Sequence, residues 1–339
     1  MGPPGWMLRS VLVSVIGATL AVMTACATDK TDELTVYSGR SADLVGPLIA
    51  DFEKSSGISV EVKYGSTVGL TATLMEEGDR SPADIFFSQD IGVLGRLAAA
   101  SMLAELPEES ISDVDRRFVD SDHRWAGTSG RARVVVYNTD TVDLSDLPET
   151  LEGYTAPQWA GRVGWAPTNA SFQSFVTALR RERGSAAALV WLRAMKTNDV
   201  KDYKNNSAIV QAVSVGDIDV GFANHYYLYR FIAEEGESFP ARNYHPAGGE
   251  LLGVFSAAGV GMLAASDSQD LALEFVEFLL SEKSQRYFTE ETFEYPLSNS
   301  VPAHPDLPPL EGLEIPEISP GDPGDIEATI DLLLEAGVF

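Results

Sequence analysis

The sequence predicts an α/β protein of two lobes, each a mostly parallel β-sheet flanked by helices, with a ligand cleft between the lobes. The chain has 339 residues, and at about 150 residues per domain this length suggests two compact domains. Apolar segments typical of strands alternate with helical patterns from residue 34 to residue 87, and a second α/β series follows residue 134. Strands separated by helices favour a parallel sheet, and ligands bind beyond the carboxyl ends of such strands.

The first series begins with a strand at 34–37. Ser41 is a suitable N-cap for the helix that follows, in which apolar side chains recur with helical spacing, and Gly57 is a suitable stop. A strand at 58–62, a helix around 70–75 and a strand at 84–87 complete the series. This β-α-β-α-β order predicts a parallel three-stranded core for the first lobe.

The second series begins with a strand at 134–137. Further elements are expected after Thr168, around 185–196 and 207–214, at 218–222, from Tyr226, at 253–263, near 268–280 and at 323–336, with a proline-rich connection over 301–322. The strand at 253–263, rich in small residues, is a candidate for crossing between the lobes. We therefore predict two discontinuous lobes: 34–130 with about 258–300, and 131–257 with about 301–339.

The N-terminus predicts export and a lipid anchor. Residues 11–23 form an apolar run of about 13 residues, the length of a signal-peptide core and too short for a membrane span of about 20. Small residues then precede Cys26, the single cysteine, which resembles a lipobox. We expect a lipoprotein signal peptide at 1–25, lipidation of Cys26 and a tether at 26–33, on the extracytoplasmic face of a bacterial cell membrane (the periplasm in a Gram-negative cell). An ordinary cleaved signal peptide and a lone buried cysteine are the alternatives.

Charge and composition exclude several classes of function. The 24 basic and 50 acidic residues give a net charge of −26, which repels a phosphate backbone, so no nucleic-acid partner is expected. One cysteine forms neither an intrachain disulfide nor a cysteine-based zinc site. The four histidines are scattered, and the sequence has no H-E-x-x-H pair, no G-x-S-x-G elbow and no P-loop. We therefore predict a binding protein and not an enzyme.

The most informative segment is Phe222-Ala223-Asn224-His225-Tyr226-Tyr227, where a tyrosine pair follows a predicted strand and opens a helix. Adjacent helical residues diverge by about 100°, so the two phenolic oxygens can meet only at an irregular helix start. Phenolate is a hard anionic ligand suited to Fe³⁺; a free tyrosine has a pKa near 10, and a trivalent metal can hold it deprotonated. The alternative role of such a pair is packing in a core or an interface.

At this point the chain resembles the ferric-ion-binding proteins of bacterial ABC importers, which have the type II periplasmic-binding-protein fold. The segments that carry the resemblance occur in order along the chain: LTVYSGRSADLVGPLIADFEKSSGISVEV at 34–62, EEGDRSPADIFFSQD at 76–90, SGRARVVVYNTD at 129–140, YTAPQWAGRVGWAPTNASF at 154–172, YKNNSAIVQAVSVGDIDVGFANHYYLYRF at 203–231 and FEYPLSNS at 293–300. Each segment is weak alone, and their common order makes the resemblance specific.

The resemblance implies a set of ligands in the second lobe. Tyr226 and Tyr227 match the paired tyrosinate ligands that hold iron in the family. The family also binds a synergistic anion at a helix N-terminus, where backbone N–H groups suit negative charge. In this chain that place falls on Asn169, Ala170 and Ser171. Two further amides match anion contacts of the family, with local capping and turn bonding as their alternative roles: Asn206 and Asn224.

The first lobe departs from the family pattern. Where the best-known members contribute a histidine and a glutamate, this chain has Ser41 and Gln89, which are weaker ligands of Fe³⁺. Asp90 is a candidate for the missing carboxylate, and its alternative role is to cap a helix over 91–98. The first-lobe candidates are thus Asp90 and Gln89 for the metal, and Ser41 and Arg40 for the anion. Arg131, at the start of the predicted second lobe, is a further candidate for the anion.

The resemblance implies a receptor that takes Fe³⁺ as cargo, with phosphate or carbonate as the synergistic anion, and delivers it to an ABC permease and its ATPase. Only a ligand that binds the closed state better shifts the population toward closure, so ligands from both lobes would supply the driving force. The importer role suggests a monomer whose membrane contact is the lipid on Cys26. The alternative keeps the fold and the transport role, with an oxyanion, a phosphonate or a small organic solute as cargo and no iron.

Overall fold

The computed structural model describes residues 32–246, 251–310, 313 and 323–339. The predicted signal peptide at 1–25, Cys26 and most of the tether fall outside these residues, so lipidation stays a prediction. Within the described part of the chain, no helix combines the length and the apolar character needed to cross a membrane.

Helices and strands alternate along the chain as the sequence predicts, and most boundaries differ by a few residues. The exception is the strand predicted at 134–137, which extends over Ala126–Asn138. The helices are α1 Ala42–Ser56, α2 Thr67–Glu77, α3 Ile91–Ala99, α4 Glu108–Ile111, α5 Ala170–Arg183, α6 Ser185–Thr197, α7 Asn206–Ser214, α8 Tyr226–Glu235, α9 Gln269–Leu280, α10 Glu282–Glu290 and α11 Pro323–Glu335. The strands are β1 Glu33–Ser38, β2 Ser59–Tyr64, β3 Ile85–Ser88, β4 Ala126–Asn138, β5 Val163–Trp165, β6 Lys201–Asp202, β7 Val220–Asn224, β8 Ala241–Tyr244, β9 Phe255–Met262 and β10 Tyr295–Pro296. The sequence did not predict the short α4, β5, β6, β8 and β10 or the strongly polar α10.

Helix α1 shows how local signals set an element. It buries one apolar stripe, formed by Val45, Leu48, Ile49 and Phe52, as the helical spacing predicts. Gly57 ends the helix with φ 79°, a left-handed conformation that glycine adopts without strain. Ser41 stands at the N-cap position, but its side chain makes no capping hydrogen bond. The prediction that the Ser41 side chain caps this helix is therefore wrong, and its hydroxyl is left for other contacts.

The strands form one mixed sheet in the order β2-β1-β3-β9-β4-β7-β5-β6, with β8 and β10 also paired to β4. Strand β1 is parallel to β2 and β3, and β5 is parallel to β6 and β7. Strand β9 runs antiparallel to β3 and β4, and β4 runs antiparallel to β7. Two parallel sets are thus joined through antiparallel strands.

Strand β4 is the element that continues from one parallel set into the other. Its residues 126–132 pair with β9, and its residues 133–137 pair with β7. Thirteen residues of extended chain span about 44 Å at roughly 3.4 Å per residue, which is long enough to serve both sets. Strand β9, the candidate for crossing between the lobes, pairs with β3 and with the first part of β4.

Buried apolar side chains form one cluster that includes residues of β1 and β3, and a separate cluster that includes residues of β5 and β7. One cluster includes Phe52 of α1 and Phe275 of α9, whose ring centroids lie 5.0 Å apart in an edge-to-face arrangement. Another surrounds Trp165 and takes in side chains of α5, α6 and α11. Leu307, from the segment predicted for the second lobe, packs in the first cluster. The exact lobe boundaries stay a prediction.

Gly130 in β4 marks a point of very close packing. A Cβ placed there would lie 2.0 Å from Cζ of Phe255 and 3.2 Å from a methyl carbon of Leu297. We expect Gly130→Ala to lower the free energy of unfolding by about 1–3 kcal/mol, because the buried Phe255 ring must move. Chemical denaturation of the metal-free protein measures this change.

Gly46→Ala in α1 is the matched control. A Cβ at Gly46 meets nothing within 4 Å, and alanine is favoured over glycine inside a helix by roughly 0.5–1 kcal/mol. This variant should therefore be slightly more stable than the parent. Unchanged stability of Gly130→Ala would contradict the packing account.

Candidate metal centre

The tyrosine pair stands at the junction of β7 and α8. Strand β7 is buried along its whole length and ends at Asn224, and His225 already has helical backbone angles (φ −57°, ψ −40°). The rings of Tyr226 and Tyr227 stack with their centroids 4.4 Å apart and their planes inclined by 28°. Both side chains line one cavity. The helix start thus brings together two phenols that a regular helix would point apart.

The cavity has a volume of about 160 Å³ and is lined from both series of elements. Its lining residues are Arg40, Ser41, Leu44 and Gln89 from the first series, and Asn169, Ala170, Ser171, Asn206, Asn224, Tyr226 and Tyr227 from the second. Every metal or anion ligand predicted from the sequence is in this set except Asp90 and Arg131. Among these lining residues the Arg40 guanidinium is the sole formally charged group, and none is a carboxylate or an imidazole.

Asp90 serves as a helix cap. Its Oδ1 accepts a hydrogen bond of 2.8 Å from the Gly92 N–H at the start of α3, and it does not line the cavity. Burial raises the pKa of this carboxyl above its ordinary value, although the Gly92 bond and the Arg131 charge act in the opposite direction. In this structure Asp90 thus has its alternative role as the cap of α3, and its role as a metal ligand stays a prediction.

Polar groups at the N-terminus of α5 line one side of the cavity. Asn169 caps this helix: its Oδ1 accepts from the Ser171 N–H at 3.0 Å and from the Ser171 hydroxyl at 2.6 Å. The amide of Asn206 donates to Ser171 Oγ at 3.2 Å. Asn206 is free for this contact because Asn205 caps α7, accepting from the Ala208 N–H at 2.9 Å. An α-helix start carries partial positive charge that suits an anion.

Arg133 is buried next to the α5 N-terminus. The sequence did not predict a role for it. One of its terminal nitrogens donates to Ser171 Oγ at 3.1 Å and to Asn224 Oδ1 at 3.4 Å, and the other to the Phe222 carbonyl at 3.1 Å. Burial lowers the pKa of Arg133 to about 10, while the nearby Tyr226 and Tyr227 act to raise it. The sequence nevertheless contained an indication of buried charge at this site. Arg131 and Arg133 lie on one face of a strand whose next residues, from Val134, are apolar.

Glu294 connects Arg40, which follows β1, with Ser129 and Arg131 of β4 through ion pairs and a hydrogen bond. Its Oε2 accepts from Arg40 Nη2 at 2.6 Å and from the Ser129 hydroxyl at 3.1 Å, and its Oε1 lies 3.8 Å from Arg131 Nη1. Burial would raise the pKa of Glu294, but the charges of Arg40 and Arg131 outweigh it and hold the pKa below its ordinary value. The Arg131 guanidinium also donates to the Gln89 carbonyl. The sequence reasoning did not single out Glu294.

In the metal-free protein, the surroundings of Tyr226 favour its neutral phenol over the phenolate. Its side chain is 2% exposed. Burial raises its pKa most, Tyr227 and Glu294 raise it further, and Arg131 and Arg40 act to lower it; the net pKa lies well above 10. A strongly polarising cation in the cavity is therefore needed to form the phenolate. Among the described residues, no group of three or more His, Cys, Asp or Glu side chains is placed to hold a metal ion.

His225, between β7 and the tyrosine pair, is a structural residue. Its Nε2–H donates to the Phe293 carbonyl at 2.7 Å, and its Nδ1 accepts from the Ala132 N–H at 3.1 Å, a pairing that assigns the neutral tautomer. Burial, helped by the charge of His245, lowers the pKa of His225 to about 3. The folded protein therefore keeps this ring neutral across the range in which a free histidine takes up a proton.

This neutral ring predicts acid sensitivity of the metal-free fold. Below about pH 6.5 the unfolded chain binds a proton at His225 and the folded chain does not, so stability falls as the pH falls, by about 1.4 kcal/mol per pH unit from this group. His245, whose pKa burial lowers to about 4, adds to the same slope. Thermal unfolding at pH 7 and at pH 5 measures the effect.

His225→Gln should be less stable than the parent at pH 7, because two buried hydrogen bonds are disturbed, and should lose less stability on going to pH 5. If the stability of His225→Gln falls between pH 7 and pH 5 as much as that of the parent, His225 is not a source of the acid sensitivity.

The family described as bacterial extracellular solute-binding protein matches residues 80–316. The major ferric iron-binding protein of Neisseria meningitidis serogroup A is 35% identical over 331 residues, covering 96% of this chain and 99% of that protein. The Fe(3+)-binding periplasmic protein of Serratia marcescens is 31% identical over 308 residues, covering 90% of each.

Solved structures show the same likeness. The crystal structure of iron-bound HitA from Pseudomonas aeruginosa superimposes with a TM-score of 0.83 at 31% identity, covering 90% of this chain and 99% of HitA. The predicted two-lobed α/β fold is thereby confirmed. The resemblance to ferric-ion-binding proteins, drawn from the sequence segments, is confirmed as well.

Proposed function

The chain belongs to the bacterial extracellular solute-binding protein family, and on that premise we propose that it binds ferric iron through Tyr226 and Tyr227. Membership in a family of binding proteins confirms that it is not an enzyme. The observation that carries the iron proposal is the stacked phenol pair, which lines the cavity with ring centroids 4.4 Å apart. Two phenolates supply hard anionic oxygens to a hard trivalent cation.

The tyrosine pair leaves most positions of a six-coordinate ion to other ligands. Across the cavity, Ser41 and Gln89 offer neutral oxygen atoms, and Asp90 is turned away into its helix cap. We propose that a synergistic anion, phosphate or carbonate, occupies the remaining space. Its supporting contacts would come from the α5 N-terminus at Asn169, Ala170 and Ser171, from the amides of Asn206 and Asn224, and from Ser41 and Arg40.

The transport role extends this proposal. A lipid on Cys26 would hold the protein at the extracytoplasmic face of the cell membrane, and the closed, iron-loaded monomer would dock on an ABC permease driven by its ATPase. Because the cavity is lined from both series of elements, a cargo that bridges them binds the closed state better than the open one. This difference in affinity would favour the closed state of the loaded protein, which a permease could then distinguish from the open, empty one.

The test is a visible absorption titration of residues 27–339 with Fe³⁺, with and without phosphate or bicarbonate. A tyrosinate-to-iron charge-transfer band that saturates at one iron per protein is expected. A band that needs an added anion would support the open ligand set of the first lobe. The absence of a band under every condition would refute the iron proposal.

A cargo without iron is the second candidate. The Arg40 guanidinium, the α5 N-terminus and the amides of the cavity lining suit an oxyanion or a phosphonate without any metal. Stoichiometric binding of inorganic phosphate together with the absence of an iron band would favour this candidate.

A further inference from the structure

Helix α2 carries an exposed row of apolar side chains, the α2 stripe, formed by Val68, Ala72 and Met75. All three are exposed, Val68 at 49% and Met75 at 40%. Their spacing of four and three residues places them on one face of the helix, and the other face packs inward through Leu70 and Leu74. Single exposed apolar side chains are common, whereas a row of them marks a surface that another molecule covers.

The α2 stripe lies in a stretch of the chain without charge. Residues 64–75, YGSTVGLTATLM, contain no Asp, Glu, Lys or Arg, although these four types make up 22% of the chain. Tyr64, at the end of β2, is exposed as well, at 42%. A molecule that binds this surface is therefore selected by apolar contact and not by the pairing of charges.

The α2 stripe begins beside the cavity that holds the tyrosine pair. Thr67, the first residue of α2, accepts a hydrogen bond of 3.2 Å at Oγ1 from the N–H of Gln89, which lines the cavity. A Cβ placed on Gly39, next to the lining residue Arg40, would lie only 2.1 Å from the same Oγ1. A partner in contact with Val68 would therefore lie next to the cavity.

Charge and position disfavour three other molecules as the occupant of the stripe. Two copies of this chain, each with a net charge of −26, repel one another. Helices that lie on a membrane surface are rich in Lys and Arg, and α2 has neither. The segment before Asp32 enters the fold at the amino end of β2, where the Ser59 N–H donates to the Asp32 carbonyl. That point lies about 17 Å from the end of β2 at Tyr64, at roughly 3.3 Å per residue.

We propose that the α2 stripe is a surface through which the loaded protein docks on an uncharged, apolar extracytoplasmic surface of the ABC permease. This inference rests on the transport role proposed above and names the part of the receptor that the permease contacts. A permease that takes the cargo must meet the receptor beside the cleft. The stripe begins at that place and offers the apolar contact area that such a docking contact buries.

Charges of opposite sign placed on the stripe test this proposal. Val68→Glu puts an acid in the first turn of α2 and Met75→Lys puts a base in its last turn, where the helix dipole favours each charge, so both variants should fold. Iron-loaded residues 27–339 are added to nanodiscs that hold the ABC permease and its ATPase, and the stimulated ATP hydrolysis is measured. Each variant should raise the protein concentration for half-maximal stimulation by about tenfold or more, because a charge pressed into an apolar contact loses its hydration.

Val190→Glu and Val190→Lys are the matched controls. Val190 is 69% exposed on α6, and neither substitution there should change the half-maximal concentration. Iron affinity and melting temperature are measured first for every variant. Both should equal those of the parent, because none of the three substituted side chains lines the cavity. If Val68→Glu, the variant nearer the cavity, alters the iron affinity, Met75→Lys alone decides the result.

Stimulation by both stripe variants equal to that of the parent would overturn the docking surface and leave the ferric function standing. Opposite effects of Val68→Glu and Met75→Lys would show selection by charge and would overturn it as well. The same holds for a dimer of the parent in sedimentation, or for binding of the parent to nanodiscs without the permease, if both variants abolish it. A loaded parent that gives no stimulation refutes the transport role together with this inference, and a parent that binds no iron refutes the ferric function.

Discussion

Tyr226→Phe is expected to lower the affinity for Fe³⁺ by more than about a hundredfold and to abolish most of the charge-transfer band. Even groups that only support a metal ligand change affinity by about 10- to 100-fold, and this substitution removes one of two anionic ligands. The buried Tyr226 ring stacks on Tyr227, and phenylalanine keeps that ring, so the fold should survive. Competition against a chelator of known iron affinity measures the loss, and Tyr227→Phe should behave in the same way.

Tyr229→Phe is the matched control on the same helix. Its hydroxyl donates to the Asp306 carbonyl at 2.8 Å, and its side chain is not among the cavity-lining residues. Iron affinity and the visible band should therefore match those of the parent. Near-normal iron affinity in both Tyr226→Phe and Tyr227→Phe would refute the tyrosinate centre.

Glu294→Gln is expected to lower the free energy of unfolding by about 3–5 kcal/mol, the usual cost of removing one partner of a buried ion pair. Arg40 and Glu294 are 1% and 0% exposed at their side chains, with Nη2 and Oε2 2.6 Å apart. The variant leaves the guanidinium of Arg40 buried without its full counter-charge. Because the fold holds the pKa of Glu294 below its ordinary value, this stabilisation is present above about pH 4.3 and is lost as the pH falls further.

The double variant Arg40→Gln/Glu294→Gln provides the control for this loss. The double variant also removes the Arg40 charge that the single variant leaves without its full partner, so it should recover part of the stability that the single variant loses. Denaturant unfolding of the four proteins gives the coupling between the two sites. Additive losses at Arg40 and Glu294 would show that the pair contributes no coupling.

Local signals in the sequence were sufficient for most of the secondary structure. The apolar stripe of α1 and its stop at Gly57 depend on residues within a few turns of each other, so their pattern is readable without the fold. The short β8 and the strongly polar α10 were missed, because both depend on what they pack against. Strand β8 is held by its pairing to β4, and α10 places Phe288 in the first apolar cluster.

The lining of the candidate site was also readable, because the residues that form it lie in a few contiguous segments. Tyr226 and Tyr227 are adjacent in the chain, and the α5 N-terminus brings its lining residues as one unit. Asp90 was ambiguous from the sequence, since a carboxylate serves equally well as a metal ligand and as a helix cap. Its hydrogen bond to Gly92 shows the capping role in this structure, and the ligand role stays a prediction.

By itself, the sequence determined the α/β class, the two series of elements, the family and the tyrosine pair, because each depends on neighbouring residues or on short segments in order. Only the tertiary structure decided which charged side chains are buried beside the cleft and which groups they meet. Arg40 and Glu294 are 254 positions apart in the chain, and Arg133 reaches Ser171 across 38 positions. Whether a charge is buried, and which charge it meets, follows from packing between distant elements, and no local pattern of residues records it.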